Sequence, residues 1–521
     1  MPRLPGGAPL SIVGGVREFA RATPYAVAVI DGDRTLTFAA LDERASRLAQ
    51  RLLGAGLATG DRVAVLLGNR LEYPEVAAGV AKAGLVMVPL NPRLTTTEAR
   101  FVVEHSGARA LVLDDALAGV VGDVVVEMEL PTLGIGGSQL GPAYETALET
   151  SSPTDPRVVV GEQDPFCIAY TSGTTGRPKG VVISHRSRAL TFYMSALEWG
   201  LGTGRVSAAI APMYHGAGFA FGFAPVFTGG TVTMLRAWDP EEVLALVERD
   251  RVQSAFLVPT HAQMIRALGS GAVDRRDLSS LDTLYFNAAA LPWALKEWVM
   301  EQFPACGVHE LYGSTEGGIV TNLRPADQRR KPGSVGHPWY LTEIRVVDEA
   351  GEPVGPGEPG ELFSRSPYLM NGYHDDPEAT AACTTEDGFL TCGDLVTLDE
   401  EGYVSIVDRK KDLIISGGVN VYPREIEEVL ATHPAIADSA VVGAPDPTWG
   451  ETVVAYVVLR PGAELEPAAL EAHCRASLAG FKVPRRWEAS GPLPRNAAGK
   501  VLKRDLRESR ARHGSEAAPV P

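Results

Sequence analysis

The sequence predicts an α/β protein with a large N-terminal domain and a smaller C-terminal domain. The chain has 521 residues, whereas one domain commonly holds roughly 100 to 200, so at least two domains are expected. Helical and strand patterns alternate along the N-terminal part, which favours parallel sheet joined by crossover helices. Short β-like pieces between Gly351 and Asp394 predict a β-subdomain, and helical periodicity returns after Asp408.

The alternation is clearest in the first part of the chain. Apolar residues recur at three- and four-residue spacing after Thr37, and Gly54 follows them, which predicts a helix with a glycine at its C-terminal end. The segments beyond it are predicted to alternate between strand and helix: 63–67, 72–82, 86–90, 97–105 and 110–113.

The last part of the chain is predicted to form a separate lobe. Pro423 can begin a helix, and two strands are expected after it, at 437–442 and 452–459. The charged run at 408–412 is typical of a solvated linker. The predicted domains are therefore 1–408 and 409–521.

Composition excludes several classes of function. The formal net charge of −16 disfavours general binding of nucleic acids or membrane surfaces, so no nucleic-acid partner is expected. The five cysteines are dispersed and include no Cys-x-x-Cys pair, so neither a disulfide framework nor a zinc site is predicted. No signal-peptide pattern is present at the N-terminus, and a cytoplasmic location is expected.

One apolar stretch is long enough to be compared with a membrane span. Residues 206–235 contain no Asp, Glu, Lys or Arg and exceed the ~20 residues that cross a bilayer. They also contain His215, two prolines and several glycines, which suit a membrane helix poorly. We expect buried core strands with a loop between them, and no membrane span.

The strongest local motif follows a predicted strand at 166–169. It reads Tyr-Thr-Ser-Gly-Thr-Thr-Gly-Arg-Pro-Lys-Gly over residues 170–180. Backbone N–H groups and hydroxyls in such a loop can surround phosphate oxygens, with a lysine as counter-charge. The spacing is not that of a Walker A loop, and an ordinary surface turn is the alternative. The candidate phosphate ligands are Thr171, Ser172, Gly173, Thr174, Thr175 and Lys179.

Four more motifs follow this loop: Leu-Tyr-Gly-Ser-Thr-Glu at 311–316, Thr-Cys-Gly-Asp at 391–394, Asp-Arg-Lys-Lys-Asp at 408–412 and Pro-Arg-Asn-Ala-Ala-Gly-Lys at 494–500. Together the motifs resemble the adenylate-forming superfamily of acyl-CoA synthetases, peptide-synthetase adenylation domains and firefly luciferases. The resemblance runs from about residue 15 to 507 and is strongest to acyl-CoA ligases. It implies a large N-terminal domain of two α/β subdomains plus a β-subdomain, with a small mobile α+β C-terminal domain.

The activity that this resemblance implies is ATP-dependent ligation of a carboxylic acid to coenzyme A, with ATP, Mg²⁺ and coenzyme A as cofactors. The acid would form an acyl-adenylate, and the thiol of coenzyme A would then displace AMP. The alternatives are an adenylation enzyme that loads an acyl carrier protein, an enzyme efficient in only one half-reaction, a luciferase-type oxygenase and a nucleotide-binding regulator. A homodimer is also left open.

The resemblance implies roles for residues around the nucleotide. Tyr312 would pack against adenine, Thr315 would hold the α-phosphate, and Glu316 would bind Mg²⁺, which favours oxygen ligands. Asp394 would accept hydrogen bonds from the ribose hydroxyls, and Arg409 would brace the same sugar. In isolation the last two would be an ordinary turn aspartate and a linker arginine.

Other implied roles concern the reacting centre. Lys500 would meet the acyl-phosphate centre and offset the repulsion between two anions. Lys411 would be the hinge of the small lobe, and Gly417 and Gly418 would let the pantetheine arm approach the backbone. His215 would contact or gate the junction of the acid pocket and the coenzyme A channel, with a packed structural histidine as the alternative.

The acid itself is predicted from two segments, 215–221 and 287–290. Ala288 and Ala289 stand where relatives often carry glycine and alanine, in the wall that the adenine and acyl pockets share. Small side chains in both segments predict unfilled apolar volume and therefore a bulky apolar acid. Neither segment contains Arg or Lys, which disfavours a dicarboxylic acid. The alternating Phe219, Phe221 and Phe223 fit pocket walls or a core strand.

Overall fold

The computed structural model describes residues 9–171, 178–269, 271–416, 419–495 and 501–513, with side chains described up to residue 508. Contacts divide the chain into two compact units. The first comprises Met1–Arg330, Pro338–Glu343 and Ser364–Leu390, and the second comprises Lys331–His337, Ile344–Phe363 and Thr391–Pro521. This division follows packing and does not test the predicted domain boundary after residue 408 or the hinge at Lys411, which stay predictions.

The elements follow one another in this order. The first are α1 (Gly14–Ala22), β1 (Val27–Asp31), β2 (Arg34–Thr37), α2 (Phe38–Gly54), β3 (Arg62–Leu66), α3 (Glu72–Lys82), β4 (Val86–Pro89), α4 (Thr96–Ser106), β5 (Ala108–Asp114), α5 (Ala118–Glu127), β6 (Thr132–Ile135) and α6 (Tyr144–Glu149). Next come β7 (Pro165–Thr171), β8 (Lys179–Ser184), α7 (His185–Trp199), β9 (Val206–Ala209), α8 (Gly216–Phe227), β10 (Thr231–Met234), α9 (Pro240–Asp250), β11 (Ser254–Leu257), α10 (Pro259–Ala267), β12 (Thr283–Phe286), α11 (Trp293–Gln302), β13 (Gly307–Ser314) and β14 (Gly318–Leu323). The last are β15 (Ser334–Pro338), β16 (Glu343–Val347), β17 (Gly360–Arg365), β18 (Gly372–Tyr373), α12 (Pro377–Cys383), β19 (Leu390–Leu398), β20 (Val404–Arg409), β21 (Ile414–Ser416), β22 (Val419–Val421), α13 (Pro423–Leu430), β23 (Ile436–Asp446), β24 (Gly450–Leu459), α14 (Pro467–Ser477), β25 (Arg486–Ala489) and α15 (Lys503–His513).

Two β-sheets form the frame of the first unit. The strand order is β14-β13-β12-β11-β9-β10-β1-β2 in one and β18-β8-β7-β4-β3-β5-β6 in the other. Strands run parallel from β13 to β1 in the first sheet and from β7 to β6 in the second. The strands β14, β2, β8 and β18 pair antiparallel with their neighbours. Parallel strands joined by helices confirm the predicted α/β class.

Local chemistry explains where the early helices begin and end. The Thr37 side chain accepts a hydrogen bond from Ala40 N at 3.2 Å and begins α2. Thr95 and Glu98 form a capping box at the start of α4, and Gly107 ends that helix with φ of +60°. The helices α2, α3 and α4 lie close to the segments that the apolar spacing predicts.

The helix α3 is buried along its whole length although it carries charged side chains. Each of those charges has a partner, as buried charges require. Glu75 accepts from Arg44 Nε at 2.6 Å, and Lys82 Nζ lies 2.6 Å from Asp42 Oδ1. The helix can therefore pack inside the first unit without leaving an unpaired ion.

The expectation of strands with a loop between them at 206–235 is wrong in its middle part. The strands β9 and β10 are present, but the helix α8 connects them. Phe219 and Phe223 lie four residues apart on this helix, and both pack against Phe192 of α7. Phe221 faces the other way, towards Trp199 and Tyr285. Four-residue spacing, rather than alternation, is therefore the informative pattern.

The second unit contains two groups of strands. Within this unit β16, β17, β19, β20 and β15 are neighbours in that order, and β20 pairs antiparallel with both β19 and β15. A separate sheet has the order β22-β21-β24-β23, with β25 parallel to β24. The helix α13 and the strands β23 and β24 confirm the elements predicted after Pro423.

The charged run at 408–412 is not a solvated linker, because both of its aspartates are buried. Asp408 accepts hydrogen bonds from Arg424 N at 2.9 Å and from Arg409 N at 2.7 Å. Asp412 accepts from the Arg507 guanidinium at 3.0 Å. The run is therefore held by hydrogen bonds within the second unit, which the charge pattern alone did not predict.

The apolar stretches do not form membrane spans in the described ranges. No helix found there combines the length and the hydropathy that crossing a bilayer requires.

Acid is expected to destabilise the protein through buried histidines. Burial lowers the pKa of His185, His215, His261 and His309 to about 4 in each case. The unfolded chain takes up protons at these groups below about pH 6.5, whereas the folded chain does so only near their lowered pKa values. The free energy of unfolding should therefore fall as pH decreases from about 6.5 to 4.

Urea unfolding at a series of pH values measures this loss. The variant His309→Gln lacks one of the titrating groups, so its stability should depend less steeply on pH than that of the unmodified protein. Identical slopes in the two proteins would contradict a neutral, buried imidazole at His309.

Candidate active site

The predicted phosphate loop is closed at its base by two paired strands. Thr171 ends β7, Lys179 begins β8, and the two residues lie opposite each other in the antiparallel pair. Ser172, Gly173, Thr174 and Thr175 lie outside the described residues. The strand pairing therefore fixes both ends of the loop in the first unit.

Lys179 and Glu316 meet at the same tyrosine. The ammonium of Lys179 lies 4.8 Å from the centre of the Tyr373 ring, within the range of a cation–π contact. The Tyr373 hydroxyl donates a hydrogen bond to Glu316 Oε1 at 3.0 Å. The first unit thus brings the predicted phosphate counter-charge close to the predicted metal ligand. Sequence reasoning missed Tyr373, because no chemical motif marks it.

The segment around Tyr373 is fixed by backbone hydrogen bonds on both sides. His374 N donates to Gly180 O at 2.7 Å, and Asn371 N donates to Val182 O at 2.8 Å. Met370 N donates to Glu316 O at 2.8 Å. The segment 370–374 therefore connects the start of β8 to the turn that carries Glu316.

That turn joins β13 to β14 and carries Thr315 and Glu316. Gly317 N donates to Ser314 Oγ at 2.8 Å, and Gly318 has φ of +70°, a conformation that glycine adopts readily. A Cβ on Gly313 would lie 2.0 Å from Gly318 O, so the two strands approach too closely there for any side chain. The glycines of the motif thus fix the shape of the turn.

Thr315 lies beside the start of α8. A Cβ on Gly216 would come 3.6 Å from Thr315 Oγ1, which is ordinary contact. His215 is the residue before the first turn of α8, and its side chain makes no capping hydrogen bond. The first N–H groups of a helix lack intrahelical partners. The predicted α-phosphate ligand therefore lies near backbone donors.

His215 is half-buried and has a buried, unsatisfied nitrogen. Its Nε2 has no hydrogen-bond partner in the described part of the chain. Burial, reinforced by the charge of Arg93, lowers its pKa to about 4. The imidazole is therefore neutral near pH 7. Buried polar groups are normally hydrogen-bonded, so this nitrogen can take a ligand as its partner.

The cavity beside His215 is small. Its volume is about 10 Å³, and Phe166, Met213 and Phe219 are among the side chains that line it. No residue of 287–290 lines this cavity, so the unfilled volume expected between the two segments stays a prediction. The same cavity is lined by Arg188 of α7, a cation that lies outside both of the segments searched for Arg and Lys.

The segment 287–290 has an unusual backbone. Ala288 has φ of +75°, in the left-handed region that costs an L-residue about 1–2 kcal/mol. The Asn287 side chain accepts a hydrogen bond from Ala288 N at 2.6 Å. Residues 288–290 are exposed. A glycine is the favoured residue at such a position.

Asp394 and Arg409 form a pair inside the second unit. They lie opposite each other on β19 and β20, and Arg409 Nε is 2.9 Å from Asp394 Oδ1. Asp394 is buried. Burial lowers the pKa of Lys411, and the charge of Arg409 adds to the effect. Gly417, Gly418 and Lys500 lie outside the described residues.

Tyr312, the residue predicted to pack against adenine, lies within β13. It is neither buried nor fully exposed. The motif therefore presents Tyr312, Thr315 and Glu316 from one hairpin.

Comparisons with known proteins cover almost the whole chain. The model of a family described as "AMP-binding enzyme" matches residues 16–374, and that of "AMP-binding enzyme C-terminal domain" matches residues 425–500. A feruloyl-CoA synthase of Amycolatopsis sp is 38% identical over 94% of this chain and 96% of its own length. A fatty acid–[acyl-carrier-protein] ligase, ScoC, of Streptomyces coeruleorubidus is 35% identical over 94% of each chain.

A solved structure is similar over the same length. It is the o-succinylbenzoate CoA synthetase (MenE) of Bacillus subtilis in complex with the acyl-adenylate intermediate OSB-AMP. The TM-score is 0.85 and the identity is 30%, with 95% of this chain and 97% of that chain covered. The three similar proteins have different acids in their names, so similarity alone does not identify the acid.

The strained backbone at Ala288 leads to a stability prediction. Glycine normally destabilises relative to alanine by about 0.4–1 kcal/mol through the unfolded chain, but at Ala288 it also removes the left-handed strain. We expect Ala288→Gly to unfold at the same temperature as the unmodified protein or higher. The control Ala290→Gly, at an exposed position with ordinary φ, should unfold at a lower temperature. Equal losses in both variants, measured by calorimetry, would contradict strain at Ala288.

Proposed function

The chain belongs to the AMP-binding enzyme family and is an AMP-forming acyl-CoA ligase, and we propose that it joins a bulky, mostly apolar carboxylic acid to coenzyme A. The proposal also assigns roles to individual residues, a cytoplasmic location and a requirement for Mg²⁺. The free state of all five cysteines supports a reducing compartment.

The residue assignments rest on one observation: Lys179 and Glu316 both contact Tyr373. The cation lies 4.8 Å from the ring centre and the carboxylate accepts the phenol hydrogen bond at 3.0 Å. A lysine at the base of a phosphate loop, with a carboxylate bonded to the same tyrosine, can together bind a nucleoside triphosphate and its metal ion. An ordinary surface turn would not require this arrangement.

In the proposed first step, a carboxylate oxygen of the acid attacks the α-phosphorus of ATP. The bond from that phosphorus to the oxygen that bridges to the β-phosphate breaks, and pyrophosphate leaves with the bonding electrons. Both reactants are anions, so cations near the phosphates lower the barrier. We infer that Lys179 binds the leaving phosphates and that Lys500 serves the acyl-phosphate centre.

Glu316 fits a role in holding Mg²⁺, because its carboxylate oxygens are the ligand type that this ion prefers. Across the described ranges, no group of three His, Cys, Asp or Glu could hold a metal on its own. The phosphates of ATP would therefore complete the coordination, as is usual at ATP sites. When bound, the ion supplies positive charge to the phosphate oxygens.

In the proposed second step, the sulfur of coenzyme A attacks the acyl carbon and the acyl–oxygen bond to AMP breaks. The thiol proton must leave in this step. His215 is a weak base, since its pKa is lowered to about 4. We therefore infer that His215 contacts the acyl group and does not take the proton.

The remaining roles concern the second unit. The carboxylate of Asp394 can accept hydrogen bonds from two ribose hydroxyls, and its pairing with Arg409 at 2.9 Å holds it in place. Rotation about Lys411 between the two steps, with Gly417 and Gly418 beside the pantetheine arm, is part of the same proposal. It rests on the resemblance of the motifs.

The bulky acid is supported by the wall at 288–290. These alanines are exposed, so no side chain of the described protein covers them, and a large acid can lie along their surface. Each apolar CH₂ that the acid buries contributes about 0.8 kcal/mol. Acetate is too small to gain that free energy.

The second candidate is a ligase that loads an acyl carrier protein, which the name of one relative describes. Both candidates share the first step and differ in the thiol. The purified protein should be incubated with ATP, Mg²⁺ and a panel of acids, once with coenzyme A and once with an acyl carrier protein bearing its pantetheine thiol. Mass spectrometry should detect the acyl thioester of coenzyme A. Thioester on the carrier alone would favour the second candidate.

A substitution tests the role of Glu316. The variant Glu316→Gln keeps the shape but removes the charge, so acid-dependent exchange of pyrophosphate into ATP should fall by about 100-fold or more. The fall should be largest at low Mg²⁺. The control Glu343→Gln changes an exposed glutamate that pairs with Arg365 in the same unit and should leave exchange unchanged. Normal exchange in Glu316→Gln at limiting Mg²⁺ would remove Glu316 from the site.

A further inference from the structure

The cavity beside His215 is lined by a second polar group without a partner. The Nε of Arg188 is buried and has no hydrogen-bond partner among the residues that the structure describes, as is true of Nε2 of His215. Arg188 and His215 both line the cavity of about 10 Å³. Two unsatisfied donors or acceptors at one cavity are unusual, because buried polar groups normally have partners.

No carboxylate of the described chain compensates the charge of Arg188. Burial lowers its pKa to about 10, and the other influence on it is the thiol of Cys167, so the group stays a cation at neutral pH. Its guanidinium carbon lies 6.0 Å from the centre of the Phe166 ring. Arg188 is half-buried. Cations removed from water usually have an anionic partner, and none of the described residues that line this cavity is an Asp or a Glu.

The lining and the volume of the cavity indicate the size and the polarity of a group that binds there. Apart from Arg188, Tyr214, His215 and the thiol of Cys167, the cavity is lined mainly by apolar side chains, among them Met213 and Phe219. A volume of about 10 Å³ holds roughly one water-sized group. The partner is therefore a single small acceptor on an otherwise apolar molecule.

We propose that Arg188 is a specificity-determining residue that binds an oxygen acceptor on the body of the acid, away from the carboxylate that reacts. The oxygen belongs to a ketone, a hydroxyl or a second carboxylate. This inference rests on the proposed function, since it concerns the acid of the same site. It replaces the expectation, drawn from the absence of Arg and Lys in 215–221 and 287–290, that a dicarboxylic acid is disfavoured.

The position of the cavity supports this reading. His215 and Gly216 connect it to the start of α8, and Gly216 lies beside Thr315. The acid would extend from the reacting carboxylate near Thr315 towards Arg188. An arginine fork donates in fixed directions and suits a carbonyl or a carboxylate better than a hydrocarbon, which would leave the guanidinium unpaired.

The test compares acids that differ only in the distal oxygen. Octanoate, 7-oxooctanoate and octanedioate form one series, and 3-phenylpropanoate and 3-(4-hydroxyphenyl)propanoate form another. Each acid is also converted into its acyl-sulfamoyl adenosine, a stable analogue of the acyl-adenylate, and its dissociation constant is measured by calorimetry. This binding readout requires neither catalysis nor coenzyme A.

In at least one series the unmodified protein should bind the oxygenated analogue about 10-fold more tightly than the hydrocarbon analogue, as expected for a hydrogen bond to a charged group. The variant Arg188→Met should lose this preference while binding the hydrocarbon analogue as well as before or better. Arg188→Lys keeps the charge without the fork and should keep part of the preference. The control Arg186→Met changes an arginine on the same helix that pairs with Glu162 at 2.7 Å and should keep all of it.

Three results would overturn the inference. Equal binding of oxygenated and hydrocarbon analogues by the unmodified protein would show that no distal acceptor is recognised. Equal weakening of all analogues in Arg188→Met would mean that Arg188 acts on a part they share, such as the reacting carboxylate. An unchanged preference in that variant would make Arg188 an ordinary solvated arginine.

The outcome for the proposed function is separate. Failure of every acid to give a coenzyme A thioester, together with an Arg188-dependent binding preference, would contradict the function and leave the inference intact. Thioester formation without an Arg188-dependent preference would support the proposed function and contradict the inference.

Discussion

The candidate site of the first unit depends on the short segment 370–374, which holds two distant parts of the chain together. Its backbone bonds to Gly180 and Val182 join it to β8, and the bond from Met370 N to Glu316 O joins it to the β13–β14 turn. Tyr373 uses this position to contact Lys179 through its ring and Glu316 through its hydroxyl. The base of the predicted phosphate loop and the carboxylate proposed to bind Mg²⁺, which are far apart in sequence, are thereby held at one place.

Buried polar groups in the first unit are of two kinds. Some have partners within the protein, and others do not. Glu75 and Lys82 of α3 are fully buried, and each has an oppositely charged partner within 2.6 Å. At the cavity beside α8, by contrast, Arg188 Nε and His215 Nε2 lack partners in the described chain. Leaving a buried polar group unpaired costs free energy. The contrast between paired and unpaired groups therefore separates structural charges from candidate contacts with the acid.

Much of the fold could be predicted from the sequence, because the helices carry apolar residues at three- and four-residue spacing with Thr and Gly at their ends. The helix α8 could not, since its alternating Phe219, Phe221 and Phe223 fit a strand as well, and only packing on both sides distinguishes the two. At the site, the glycine-rich loop marked Lys179 through the chemistry of phosphate, whereas the role of Glu316 was implied only by the resemblance of the motifs. Tyr373 and Arg188 reach the site from segments without a motif, so only tertiary structure reveals them.

The central claim is that Lys179 and Glu316 act as one unit through Tyr373, and a double-mutant cycle tests it most directly. Acid-dependent exchange of pyrophosphate into ATP is measured for the unmodified protein, Tyr373→Leu, which removes both the ring and the hydroxyl, Lys179→Met and the double variant. If the phenol positions both groups, the loss in the double variant should be clearly smaller than the product of the two single losses. Losses that multiply, with coupling below about 0.5 kcal/mol, would show that Tyr373 and Lys179 act independently and would contradict the account.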